Sequence, residues 1–148
     1  MDAIDRKILQ LLVEDGRLSV TELADAVHLS LSAASQRLRR LRETGAIDRF
    51  TVRLGSESVG RPIDALVDLQ LTPGAPWAGI DDALRERADV VDAVHVTGGF
   101  DYQIRVRTAT IGDLDRLLQE LKEDLGVRET STRVVLHTVD GFPREPAV

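Results

Sequence analysis

Near the start of the chain two apolar stripes at helical spacing stand only three residues apart, and few folds accommodate that. Val20, Leu23, Ala24 and Val27 recur at i, i+3, i+4 and i+7. Ala34, Leu38 and Leu41 follow after His28-Leu29-Ser30. Each stripe is one face of an amphipathic helix. Ser19-Val20-Thr21-Glu22 is a capping-box pattern opening the first of the pair, and Ser30 can cap the second. A further helix precedes them. Asp2 can cap it, Ile4, Ile8, Leu11 and Leu12 form its apolar face, and Gly16 is expected to end it. Gly45 stops the third helix. Three short helices with a tight turn between the last two are the layout of a helix-turn-helix.

The outer face of the third helix carries the chemistry. At 100° per residue, Ser32, Ser35, Gln36, Arg39, Arg40 and Glu43 point away from the buried stripe, with Arg37 on its flank. Residues 37–53 hold six arginines against Glu43 and Asp48. The plain interpretation is a solvated helix face, which usually mixes Glu and Lys at i, i+4. Here short hydroxyls and an amide come first and arginines follow. Small polar residues let a helix approach a groove, where Gln or Arg can bond base edges. Arginines further along can reach phosphates. Ser30, Ser32, Ser35, Gln36, Arg37, Arg39 and Arg40 are the candidate DNA-binding set.

The net charge of −6 argues against nucleic-acid binding only if it is spread evenly, and it is not. Residues 1–60 carry nine acidic and nine basic side chains, whereas residues 61–148 carry sixteen and ten. Ile47, Phe50, Val52 and Leu54 with interleaved polar residues read as a short strand, after which Gly55, Gly60 and Pro62 mark a boundary. The expected division is a DNA-binding domain over 1–54, a linker over 55–62, a second domain over 63–141 and a tail over 142–148.

In the second domain, residues 63–71 partly alternate and precede Pro73-Gly74, a strand and a turn. Pro76 opens a helix with Ile80, Leu84 and Ala88 in register. Strands follow over 90–97 and 102–108, joined through Gly98-Gly99-Phe100. Thr110 caps a long helix with Ile111, Leu114, Leu118, Leu121 and Leu125 on one face, Gly126 ends it, and a last strand covers about 127–139. The order is βαββαβ, a ferredoxin-like unit with both helices on one face of the sheet. The last strand is apolar on both sides: Val134 and Leu136 on one, Val135 and Val139 on the other. Either that strand end stays bare or a partner covers it, and a second copy is the expected partner.

Composition narrows the function classes. There is no cysteine among the 148 residues, which excludes disulfides, thiolate nucleophiles and Cys-based metal sites. No apolar run approaches the roughly 20 residues of a membrane span, and no secretion signal opens the chain. An intracellular protein is the expectation. His28, His95 and His137 lack metal-ligand spacing and read as turn or packed residues.

The residues also resemble a known family. Ile4-Asp5-Arg6-Lys7-Ile8-Leu9, Asp15-Gly16-Arg17-Leu18-Ser19, Glu22-Leu23-Ala24, Leu29-Ser30, Arg37-Leu38-Arg39-Arg40-Leu41 and Gly45-Ala46-Ile47 resemble the DNA-binding motif of the Lrp/AsnC transcriptional regulators. Val96-Thr97-Gly98-Gly99-Phe100-Asp101-Tyr102 resembles that family's ligand loop, and Thr130-Ser131-Thr132 and Val135-Leu136-His137-Thr138-Val139 also match. The similarity spans about residues 1–141. It implies an α+β chain: an N-terminal, winged-helix-like helix-turn-helix domain joined to a ferredoxin-like βαββαβ domain that dimerises through its sheet, often assembling to octamers. It implies an amino-acid effector bound where dimers meet, near Gly98, Gly99, Phe100, Asp101, Tyr102, Thr130, Ser131 and Thr132. Two positions depart from the family. Leu31 stands where proline is common, and Gly99 where an acid often follows the first glycine, which leaves an effector ammonium one anion fewer.

The expected function is therefore a sequence-specific transcriptional regulator, with no cofactor, metal site or catalytic residue, acting on a roughly palindromic DNA site in the cytoplasm, associated with the nucleoid. Two alternatives stand beside it. One is a haem-biosynthetic decarboxylase-like enzyme, as some relatives of this architecture resemble, although no polar constellation converges on a pocket. The other is an architectural protein binding DNA with little sequence preference.

Overall fold

A computed structural model describes residues 1–52, 54–74 and 78–139. The chain divides into two compact units near residue 53.

The first unit holds three helices, α1 (Ala3–Glu14), α2 (Val20–Ala26) and α3 (Leu31–Glu43). Each starts on a side-chain cap. Asp2 and Asp5 close a reciprocal capping box on α1, as Ser19 and Glu22 do on α2, and the Ser30 hydroxyl accepts from the Ala33 N–H on α3. These bonds satisfy amides that a helix start otherwise leaves unpaired. Ile8, Leu9, Leu23 and Leu41 form the buried centre, with Ile4, Leu11, Leu12, Leu18, Val27, Leu38 and Ile47 packed around it. The turn between α2 and α3 is tight enough to push His28 to a φ of +54°. Gly45, at φ +74°, takes the chain off α3 in the left-handed conformation expected there. Gly16 plays no such part: α1 ends through extended Asp15, whose N–H bonds to the Leu11 carbonyl and whose carboxylate accepts from the Arg17 N–H.

The strand expected from Ile47 to Leu54 is not formed over residues 46–52, and Arg53 lies outside the described residues. Phe50, Val52 and Leu54 are exposed. A strand needs a neighbour to take its N–H and C=O groups, and none is available here within the described residues.

The second unit is a four-stranded antiparallel sheet of β1 (Ile63–Leu71), β2 (Val90–His95), β3 (Tyr102–Thr108) and β4 (Val127–Val134), in the order β2-β3-β1-β4. Helices α4 (Ile80–Arg85) and α5 (Ile111–Leu125) pack with it. The core is alternate residues of the two central strands, Ala65, Val67, Leu69 and Leu71 of β1 and Tyr102, Ile104 and Val106 of β3. They meet Ile80 and Leu84 of α4 and Leu114, Leu117 and Leu121 of α5. Thr110 and Asp113 close a third capping box, and Gly126 at φ +65° ends α5. Ile111, placed on the buried stripe by spacing, is exposed in the first turn, and Leu117 is buried instead. Helix α4 stops at Arg85, so Ala88 falls past its end and is exposed, and Pro76 lies outside the described residues.

Two strands are shorter than their sequence suggested. β2 ends at His95, because β3 begins opposite it at Tyr102. β4 ends at Val134, and only the Val135 N–H continues the ladder, to the Asp64 carbonyl. The pairing with β4 stops there, although β1 itself runs on to Ile63, next to Pro62, which lacks an N–H. Leu136 and Val139 therefore lie outside the strand, exposed.

The sheet face opposite the core carries charge along its central strands. Asp64 and Asp68 of β1 form a charged ladder on the face opposite the core residues. Arg105 makes a two-pronged contact with Asp64, at 2.8 and 2.7 Å, and Arg107 stands 3.4 Å from the same carboxylate. Gln103 and Arg133 bond Asp68 from either side at 2.8 and 2.6 Å. Burial raises the Asp64 carboxyl, but the hydrogen bonds and charges of Arg105 and Arg107 outweigh it and hold the group below the usual carboxylate range.

Candidate nucleic-acid interface and effector loop

Ser30, Ser32, Ser35, Gln36, Arg39 and Arg40 are exposed along α3, and Arg37 is half-buried on its flank. The helix thus presents its hydroxyls and amide together over the first turns, as the spacing requires. Arg39 has an exposed ion pair one turn on with Glu43, at 3.6 Å. Such a pair is readily exchanged for a phosphate, since exposed pairs are worth little.

Arg37 and Arg40 are placed differently. Arg37 donates to the carboxylates of Asp2 at 2.6 Å and Asp5 at 2.8 Å, and Arg40 to Asp5 at 2.7 Å. The Asp5 side chain is fully buried, whereas Arg40 is 56% exposed. Burial raises Asp5, but the Asp2 N–H, the Arg37 hydrogen bond and the Arg40 charge hold it below the ordinary value. The Asp5 backbone N–H and Arg37 bring Asp2 down to about 2. Two carboxylates at the start of α1 thus grip two arginines one turn apart on α3. Sequence reasoning used Asp2 only as a cap and gave Asp5 no role. An acid at both ends of a capping box, facing arginines at i and i+3 on another helix, was the available signal.

The loop between β2 and β3 is closed by the Val96 N–H bonding the Asp101 carbonyl. Gly98, at φ +121°, needs its missing side chain, while a Cβ at either Gly98 or Gly99 would meet nothing within 4 Å. Both face open space. Phe100 is half-buried. Asp101 is already engaged: one carboxylate oxygen accepts from the Leu71 N–H at 2.7 Å, and the Asp101 N–H bonds the Leu69 carbonyl. Tyr102 points into the core, stacks on His95, and donates its hydroxyl to Asp81 at 2.8 Å. Burial first, then that carboxylate, pushes its hydroxyl up to about 12.

Thr130 pairs with Leu69 and Thr132 with Val67, whereas Ser131 pairs with Asp68 and so faces the other way. Because β1 lies between β3 and β4, Thr130 and Tyr102 are two strand spacings apart, roughly 10 Å. The chain therefore gathers Gly98 to Asp101 in one loop and sets Thr130 to Thr132 two strands away at the same end of the sheet. Among the described residues no group of His, Asp and Glu could hold a metal ion, and no helix is long and apolar enough to cross a membrane.

Comparison with known proteins agrees with this arrangement. Residues 1–48 match the winged helix-turn-helix DNA-binding family, and residues 64–144 match the Lrp/AsnC ligand binding domain. The chain is 32% identical to the transcriptional regulatory protein DoeX of Halomonas elongata, over 94% of this chain and 90% of that protein. It is 35% identical to the HTH-type transcriptional regulator LrpA of Mycobacterium tuberculosis, over 93% and 91%. The structure is similar, with a TM-score of 0.90 and 30-odd per cent identity (31%) over 99% of each chain, to a feast or famine regulatory protein of M. tuberculosis complexed with L-methionine.

Proposed function

The chain belongs to the Lrp/AsnC family of DNA-binding transcriptional regulators, and from that premise we propose that it reads a roughly palindromic operator as a homodimer. The observation that carries this is the exposed face of α3, with Ser32, Ser35, Gln36 and Arg39 outward and Arg40 held beside them. Residues 1–54 are the DNA-binding domain, 63–141 the effector and assembly domain, and 142–148 a tail. In a dimer two α3 helices enter successive major grooves, with half-sites about one helical turn apart. Gln36 reads a base edge and Ser30, Ser32 and Ser35 line the approach. Arg39 and Arg40 take phosphates, and Arg37 contributes through its hold on α1. The one-sided sheet and the unpaired, exposed Phe50, Val52 and Leu54 support pairing of copies, with octamers as the higher assembly. The protein acts in the cytoplasm, on the nucleoid.

The effector is an amino acid, as the methionine complex of the M. tuberculosis relative supports. Gly98 and Gly99 allow close approach to the loop backbone, whose N–H groups can take a carboxylate. The free lone pairs of Asp101 take the ammonium, and Thr130 and Thr132, which share one face of β4, supply hydroxyls, whereas Ser131 faces the other side. Footprinting on DNA flanking the protein's own coding region, with and without the twenty amino acids, tests the whole reading. Two protected half-sites, changed in extent by at least one amino acid, are expected. Equal affinity for that DNA and random DNA refutes operator reading and leaves the architectural alternative.

A further inference from the structure

Among the described residues three capping boxes start helices, and one is unlike the others. Glu22 and Asp113 close theirs near solvent, and neither meets a cation from another helix. Asp5 closes the α1 box by accepting from the Asp2 N–H at 3.0 Å, which is all that capping requires. Yet its side chain is fully buried and also holds Arg37 and Arg40. A buried carboxylate is costly unless paired, so the arginines are needed to keep it there. The converse also holds. Arg40 is more than half exposed, and an arginine so placed loses rotamer freedom when it orders on DNA. Asp5 grips one end of its guanidinium and leaves the other donors facing out. The grip also joins α1 to the helix that carries the outward face.

We propose that Asp5 is a positioning residue for DNA binding: it pre-orders Arg40 on α3 for a backbone phosphate. This rests on the reading of Arg40 as a phosphate contact. The sign of the effect separates it from simple electrostatics. A carboxylate near DNA repels it, so removing that charge should leave affinity unchanged or raise it. Pre-ordering makes the opposite demand.

The test is fluorescence anisotropy of the full chain on a duplex from the DNA flanking its coding region, across a series of salt concentrations. Arg40→Ala tests the underlying reading: it should weaken binding and reduce the salt slope by about one charge. An unchanged Arg40→Ala protein refutes the phosphate contact and removes the object of the proposal. Asp5→Asn should weaken binding by about three- to tenfold, the range for ordering one long side chain, and should have a much smaller effect when added to Arg40→Ala, where only its contact with Arg37 is left to lose. A loss of the same size in both backgrounds, or tighter binding by Asp5→Asn alone, overturns the proposal. Arg40→Lys gives the same information without substituting a residue of α1, if thermal unfolding shows Asp5→Asn to be misfolded. It keeps the charge but not the two-ended fork, so the salt slope should stay while affinity falls about three- to tenfold. Wild-type affinity in Arg40→Lys also overturns the proposal.

Discussion

Replacing Asp64 with asparagine removes one charge from a central strand of the sheet without changing the side chain's shape. The Asp64 side chain is only 12% exposed, and Arg105 and Arg107 beside it are 24% and 17% exposed. Arg105 loses one of two charge-assisted hydrogen bonds, because the amide keeps one acceptor oxygen and turns an NH2 group toward another donor. Each such bond contributes about 1.5–3 kcal/mol. Breaking a fully buried pair costs about 3–5 kcal/mol, and partial access to water lowers that figure for these arginines. The expected loss is therefore about 2–3 kcal/mol. In a unit of this size each kcal/mol moves the midpoint by about 4–8 °C, so the second unit should unfold roughly 10–20 °C earlier. Thermal unfolding followed by circular dichroism and calorimetry at pH 7 reads this directly. Combining Asp64→Asn with Arg105→Gln should cost much less than the two single losses added. A midpoint shift under about 2 °C would refute the argument that this carboxylate sustains the ladder.

Other perturbations test separate parts of the molecule. Gln36→Ala should cost about 1–3 kcal/mol on operator DNA and little on random DNA if the amide makes a bidentate base contact, which competition binding measures. Asp5 and Asp64 both have folded pKa values below the ordinary carboxylate value. Their contribution is thus complete above about pH 4 and is lost as pH falls through the folded values. Acid unfolding should begin below about pH 4, and Asp64→Asn should flatten that limb of the stability curve. Val135→Asp sets a charge beside the Asp64 carbonyl at the end of the sheet and should shift sedimentation toward smaller species; an unchanged distribution places the assembly surface elsewhere.

What the sequence disclosed were the properties that neighbouring residues decide among themselves. Ser19 with Glu22, Ser30, and Thr110 with Gly126 bracket their helices as local chemistry demands. Alternation along 102–108 places Ile104 and Val106 correctly in the core. The misses share a different cause. The length of β4 is set by its pairing with β1, some seventy residues earlier in the chain, which ends at Ala65 opposite Val134, because a strand extends only as far as its neighbour. The apolar residues Val134, Val135, Leu136 and Val139 could not reveal that limit. The charge of the open face was visible as Asp64, Asp68, Arg105 and Arg133, but only the register shows that they face one another. In the same way the α3 arginines were legible as a basic face, while the carboxylate that holds two of them is more than thirty residues away. The turn between β2 and β3 was legible from Gly98 and Gly99, yet the commitment of Asp101 to the Leu71 N–H depends on how β1 ends.

The ladder on the open face has a consequence for how the protein responds to ionic strength. Asp64 and Asp68 find their cations within the same protomer, so they hold few mobile counterions. Copies joining across such a face release water but exchange few ions, and that association should hardly vary with added salt. Phosphate contacts behave in the opposite way, since each one expels a counterion from the duplex. Raising salt should therefore strip the protein from DNA before it separates copies that pair as proposed, which makes ionic strength a means of detaching one equilibrium from the other.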